Sequence, residues 1–220
     1  TKSKTGTISD NTITSGKDKG IAINSVKCKM TISGNTIKKC KAYPIYCNPA
    51  STSYAITLKK NIITGNSKKI DGIRADSGKL ILSSNTISSC SRAIILSSKV
   101  KGTVYPNTFK KNTYNNVKVN SSYVNTLTVK SLSGKSKSAK TATLNWKKLS
   151  SASGYVVYRS ASKNGSYTKI STIKKNKTIT YKDSKLKRKS TYYYKIVPYT
   201  TIGKTTVYGL DSKIVSIKIK

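Results

Sequence analysis

Gly6-Thr-Ile-Ser-Asp-Asn-Thr-Ile13 decides the fold, because the phrase keeps coming back. It returns as Met30-Thr-Ile-Ser-Gly-Asn-Thr-Ile37, as Ile56-Thr-Leu-Lys-Lys-Asn-Ile-Ile63, as Leu80-Ile-Leu-Ser-Ser-Asn-Thr-Ile87 and, more weakly, as Gly102-Thr-Val-Tyr-Pro-Asn-Thr-Phe109. The shared Asn stands at 11, 35, 61, 85 and 107, in steps of 24, 26, 24 and 22 residues. A second phrase lies between the copies: Gly20-Ile-Ala-Ile23, Pro44-Ile-Tyr-Cys47, Gly72-Ile-Arg-Ala75, Ala93-Ile-Ile-Leu96 and Asn116-Val-Lys-Val119. Each period therefore holds at least two short strands of alternating character, separated by polar turns. A repeat this short cannot bury a core alone, but stacked copies make a continuous one.

Aligned copies show what would stack. Ile8, Ile32, Leu58, Leu82 and Val104 share one position. Ile13, Ile37, Ile63, Ile87 and Phe109 share a second, and Ile21, Ile45, Ile73, Ile94 and Val117 a third. These columns read as apolar ladders facing inward. Asn11, Asn35, Asn61, Asn85 and Asn107 read as a ladder of side-chain amides at a bend, where Asn also tolerates left-handed backbone. The "Gly-Asn-Thr-Ile" and "Gly-Ile-x-Ile" phrases resemble the right-handed parallel β-helix family, the pectate lyase-like solenoid, over residues 1–125 and about five coils. The resemblance implies fold rather than function, since that architecture carries lyases, hydrolases, epimerases and adhesins.

The repeat stops near Tyr123, and the Lys/Ser/Gly-rich stretch 130–140 follows. Longer alternating segments come next, among them Thr141-Ala-Thr-Leu-Asn-Trp146, Gly154-Tyr-Val-Val-Tyr-Arg159 and Thr191-Tyr-Tyr-Tyr-Lys-Ile-Val197. About seven strands over residues 126–220 suit a β-sandwich. The segment resembles bacterial fibronectin type III domains. Trp146 matches the core tryptophan of the second strand, and Tyr192, six residues after Leu186, matches the tyrosine corner. The expected fold is all-β: a right-handed parallel β-helix at 1–125 followed by a fibronectin type III-like sandwich at 126–220.

Charge narrows the function classes. Lys and Arg total 43, Asp and Glu total 6, His is absent and the net charge is +37. All six acids are Asp. There is no His base, no His ligand and no Glu acid. So large a charge repels itself and attracts polyanions. Only Arg74, Arg92, Arg159 and Arg188 are arginines, and the lysines are dispersed, which argues against sequence-specific nucleic-acid reading. No apolar run approaches bilayer length, so no membrane insertion is expected. No signal peptide opens the chain, and Thr1 begins directly in repeat sequence, so coils upstream are expected. A secreted or cell-surface location is implied by the family resemblance.

The four cysteines, Cys28, Cys40, Cys47 and Cys90, invite a disulfide reading. Register argues against one pairing: Cys40 and Cys90 fall two coils apart, about 9–10 Å, too far to bridge. Cys47 takes an inward position shared with Ile23, Ala75, Leu96 and Val119. Buried free thiols are the expectation, with a Cys28–Cys47 bridge left open. No close pair has zinc-ligand spacing, and neither metal nor cofactor is expected.

The resemblance to pectate lyases implies calcium held by several acids and an Arg or Lys base. Here Asp71 and Asp76 flank Arg74, a weak catalytic candidate with too few oxygens for calcium. The paired carboxylates of glycosidases are not seen. Tyr46, Arg74, Ile95 and Lys118 fall on the outward side of the second phrase, where an anionic sugar could lie. Tyr46, Arg74 and Lys118 are thus the glycan-binding candidates. An outward Thr7/Thr31/Thr57/Thr103 column is the kind of array seen in ice-binding solenoids, but Ile81, Lys59 and Tyr105 interrupt it. The reading is a non-catalytic structural or adhesive protein that contacts an anionic polysaccharide or cell-wall polymer. The alternative is the C-terminal part of a secreted polysaccharide lyase or glycoside hydrolase. An open solenoid end exposes strand edges that further coils or a second molecule would cap.

Overall fold

Each repeat closes one rung of a parallel β-solenoid in the computed structural model, which describes residues 5–24, 28–49, 51–66 and 69–220. The first sheet stacks Thr5–Ser9, Lys29–Ser33, Ala55–Lys59, Gly78–Ser83 and Val100–Val104. The second stacks Thr12–Thr14, Thr36–Lys38, Ile62–Thr64, Thr86–Ser88 and Thr108–Lys110. The third stacks Ile21–Asn24, Ile45–Asn48, Ile73–Ala75, Arg92–Leu96 and Tyr114–Val119. The repeated phrase, legible in sequence as one segment, is two strands with a corner at the Asn. The rungs are in register, Ile8 on Ile32 and Ile32 on Leu58, for example. The three apolar columns point inward: Ile32, Leu58, Ile37, Ile63, Ile45 and Ile73 are fully buried. Each such side chain contributes roughly 1.5–3 kcal/mol by leaving water.

The corner is held by side-chain amides. Asn11, Asn35, Asn61 and Asn85 each donate Nδ2–H to the Oδ1 of the ladder Asn of the next rung, at 2.9, 3.0, 2.8 and 2.9 Å. That same Oδ1 also accepts the backbone N–H of the preceding ladder Asn. The left-handed backbone of the corner is not on the Asn. It falls one residue earlier, at Asp10, Gly34, Lys60 and Ser84, with φ of 58°, 68°, 57° and 55°. The physical reason is division of labour: the Asn must turn its amide inward along the stack, so its outward neighbour takes the strained dihedral.

All four cysteines are free thiols, with Cys40, Cys47 and Cys90 buried. Burial pushes the Cys47 and Cys90 thiols up to about 12. They act as small core residues.

The second unit is a β-sandwich. One sheet is antiparallel and runs Leu132–Lys135, Ala142–Trp146, Thr180–Asp183. The other runs Thr168–Ile173, Gly154–Ser160, Thr191–Ile202, with Val215–Lys218 on the far side of the last strand. Three strands facing four is the fibronectin type III arrangement. Trp146, Leu144, Tyr155, Tyr194, Ile196 and Ile217 form its core, with Trp146 and Tyr155 edge to face at 5.3 Å. Tyr192 Oη accepts the Lys187 N–H at 3.2 Å, the backbone bond of a tyrosine corner. Asp183, buried between the sheets, accepts from Arg159 and from the Tyr194 hydroxyl, both at 2.9 Å.

By contacts the chain divides into Thr1–Asn125 with Thr201–Val207, and Thr126–Thr200 with Tyr208–Lys220. The main boundary falls between Asn125 and Thr126, and one short segment of the later residues groups with the first unit. Thr201–Val207 groups with the first unit because Thr206 and Val207 pair in parallel with Thr103 and Val104.

Candidate functional site

The outward side of the third sheet collects the side chains that can meet a ligand. Strand alternation sends Ile45 and Cys47 inward and Tyr46 outward, and the next rungs repeat the pattern around Arg74, Ile95 and Lys118. Register places Tyr46 beside Arg74, Arg74 beside Ile95 and Ile95 beside Lys118. The three glycan-binding candidates therefore share one outward column. The strand Ser122–Val124 turns back antiparallel and sets Tyr123 beside Lys118.

Around Tyr46 and Arg74 the surface dips into a recess of about 320 Å³ lined by Lys19, Asn24, Tyr43, Tyr46, Arg74 and Asp76. Sequence reasoning missed Tyr43 and Lys19, because both lie in the turn before a strand, outside the repeated phrases. Tyr43 stacks on Tyr46 with ring centroids 5.9 Å apart. Arg74 lies 5.2 Å above the Tyr43 ring and donates to its hydroxyl at 3.2 Å; Lys19 lies 5.5 Å from the Tyr46 ring. Asp76 fixes the arrangement by accepting Arg74 Nε–H at 3.0 Å on one oxygen and the Tyr46 hydroxyl at 2.9 Å on the other. At the other end of the column, Lys118 lies 5.4 Å from the Tyr123 ring and Arg92 5.7 Å from the Tyr114 ring. The result is a row of amphipathic rings interleaved with cations.

The Asp71/Arg74/Asp76 candidate cluster separates. Asp76 pairs with Arg74, but Asp71 points elsewhere, with Oδ1 at 3.6 Å from Arg92 Nη1 and accepting the Arg92 N–H at 3.3 Å. The two carboxylates flank Arg74 in sequence, yet alternation and the bend before Ile73 put them in different surroundings. Burial, with the Asp76 hydrogen bond next, raises the Tyr46 phenol above its ordinary value, the direction opposite to what a general base needs.

A family model described as periplasmic copper-binding protein (NosD) matches residues 1–143, the whole solenoid and the start of the sandwich. The chain belongs to the NosD family. NosD proteins are periplasmic by that description, and this chain too stands outside the cytoplasm, as a secreted or surface protein. Among the described residues no helix is long and apolar enough to cross a membrane. No curated protein matches. Among solved structures, an Fn3-like protein from Clostridium thermocellum is 29% identical, over 41% of this chain and 88% of that one, with a TM-score of 0.36. The sixth fibronectin type III domain of human fibronectin type III domain containing protein 3 is 19% identical over 44% and 87%, TM-score 0.36. The chicken CNTN1 FN1–FN3 domains are 17% identical over 47% and 35%, TM-score 0.38.

The NosD description raises copper, and the donor set can be tested against it. The chain has no His. Among the described residues no three His, Cys, Asp or Glu side chains gather as a metal-binding group. Cys47 and Cys90 are buried in the core and held protonated by burial. Cys28 Sγ lies 3.5 Å from Met30 Sδ, a pair of soft donors. A blue-copper centre uses two imidazoles and a thiolate, and without a His these residues do not form one.

Proposed function

We propose that this NosD-family chain is a non-catalytic exported scaffold that contacts an anionic glycan or cell-wall polymer along the outward face of its third sheet. The observation that carries this reading is the column of Tyr46, Arg74 and Lys118, flanked by Tyr43, Lys19 and Tyr123 and containing Asp76 as its one carboxylate. Aromatic rings offer flat apolar surface to sugar rings, and the cations beside them offer charge to carboxylate or sulfate groups. Spacing along the solenoid axis suits a repeating polymer, since equivalent side chains recur at the strand separation of about 4.8 Å. The net charge of +37 adds long-range attraction that salt weakens.

The test is affinity for oligogalacturonate, compared between the wild type and a triple variant Tyr46→Ala, Arg74→Gln, Lys118→Gln. All three side chains lie on the outer surface, so the core is untouched. The variant is expected to bind at least about tenfold more weakly, a loss of about 1.4 kcal/mol. Equal affinity in wild type and variant would remove this face from the account.

A further inference from the structure

A second cation-lined recess lies at the tyrosine corner of the sandwich. Lys140, Lys185, Leu186, Lys187, Arg188 and Tyr192 line an open depression of about 670 Å³. Four of these side chains are cationic and none is acidic. The sandwich has only two acidic side chains, and both are engaged away from this recess. Asp183 is buried and holds Arg159 and Tyr194, while Asp211 holds Lys195 at 2.7 Å. Four positive charges along one recess without an acidic side chain repel one another, and an entering anion relieves that repulsion.

Lys140 and Lys185 stand in left-handed turns, φ 60° and 61°, as Lys39, Lys60, Lys111 and Lys189 do elsewhere in the chain. The two turns are tied together, since Leu186 N–H donates to Lys140 O at 3.0 Å and Lys187 N–H to Tyr192 Oη at 3.2 Å. The cations therefore stand on a braced frame with Leu186, 3% exposed, buried beneath them.

We propose that this recess binds phosphate, taken as the phosphodiester of a polyol polymer. A planar carboxylate uses donors from one or two directions. A tetrahedral phosphate uses donors from several, and Arg188 adds a fork that can engage two of its oxygens. A nucleic-acid strand is the poorer fit, because strand binding rests on successive stacking rings. This recess has one ring, Tyr192, with Arg159 already 5.4 Å from its centroid. The site is independent of the sheet face above and uses none of its residues.

The test is a titration of the isotope-labelled full chain, read by backbone amide shifts. The probes are inorganic phosphate, oligo(glycerol phosphate), a short oligodeoxynucleotide and oligogalacturonate. Both polyol phosphate and inorganic phosphate are expected to move the amides around Lys140 and Lys187, and oligogalacturonate to leave them in place at equal charge concentration. Lys187→Gln combined with Arg188→Gln, both exposed, is expected to weaken phosphate binding by about tenfold. Arg74→Gln on the solenoid is expected to change nothing here, so the fates of the two sites are read separately. No shift with either phosphate, equal shifts with oligogalacturonate, tighter binding of the oligodeoxynucleotide, or shifts that survive the double variant would each overturn the proposal.

Discussion

Asn61 shows what a single residue does in this chain. It is fully buried, and both its donors and its acceptor oxygen are used: Nδ2 bonds Ile32 O and Asn85 Oδ1, and Oδ1 accepts from Asn35 N and Nδ2. Asn61→Ala leaves several of these groups unpaired away from water, at about 1–3 kcal/mol each. Asn11 is exposed, so water replaces its partners. Urea unfolding is expected to show Asn61→Ala far more destabilised than Asn11→Ala; equal losses would contradict the ladder's role. The thiols give a pH signature. Cys47 and Cys90 are held at about 12 when folded and return to about 9.0 when unfolded. The folded state then binds the protons more tightly, so this stability is whole below pH 9 and is lost as pH rises towards 12. A Cys47→Ala, Cys90→Ala chain is expected to lose less stability over that interval than the wild type. The ladder positions were legible from the repeat, because identical residues at a fixed period need no tertiary knowledge. Which residue bears the left-handed dihedral was not, since Asn, Lys and Ser all occupy such turns and only the direction of the amide decides between them.

The strand is the next scale, and there the inward and outward columns make opposite predictions. Ile63→Ala empties a fully buried site on the second sheet and is expected to cost about 2–5 kcal/mol. Thr57→Ala on the outward side of the first sheet should cost well under about 1 kcal/mol, since surface changes are small. Gly72 tests the corner into the third sheet. A Cβ there would stand 2.5 Å from Ile87 Cγ2 and 2.8 Å from Ala93 O. Gly72→Ala must therefore shift one rung against the next, and thermal unfolding should show it less stable than the wild type. Alternation told which side chains pair along the third sheet, so the Tyr46–Arg74–Lys118 column could be read in advance. Tyr43 and Lys19 could not, because they sit in turns, where no period fixes direction. The separation of Asp71 from Arg74 was hidden for the same reason: three residues apart with a bend between them, they have no fixed spatial relation.

At the scale of the whole molecule, charge dominates. Six carboxylates face 43 cations, and several of the six are committed to local pairs. Repulsion among the unpaired cations opposes the compact state and is screened by salt. Moderate sodium chloride is therefore expected to raise the unfolding midpoint while weakening polymer binding, two opposite responses from one cause. The fold was legible because repeat period and strand alternation are local properties of the sequence. The ligand was not, because a dispersed positive surface says that an anion is wanted without saying which. The most direct measurement is a panel of the full chain against polygalacturonate, heparin, a teichoic acid and a neutral glucan, at low and high salt, with product formation followed in the same samples. Salt-sensitive binding of the acidic polymers, no binding of the neutral glucan and no product is the predicted result. Release of unsaturated or hydrolysed ends, or equal binding of the neutral glucan, would contradict it.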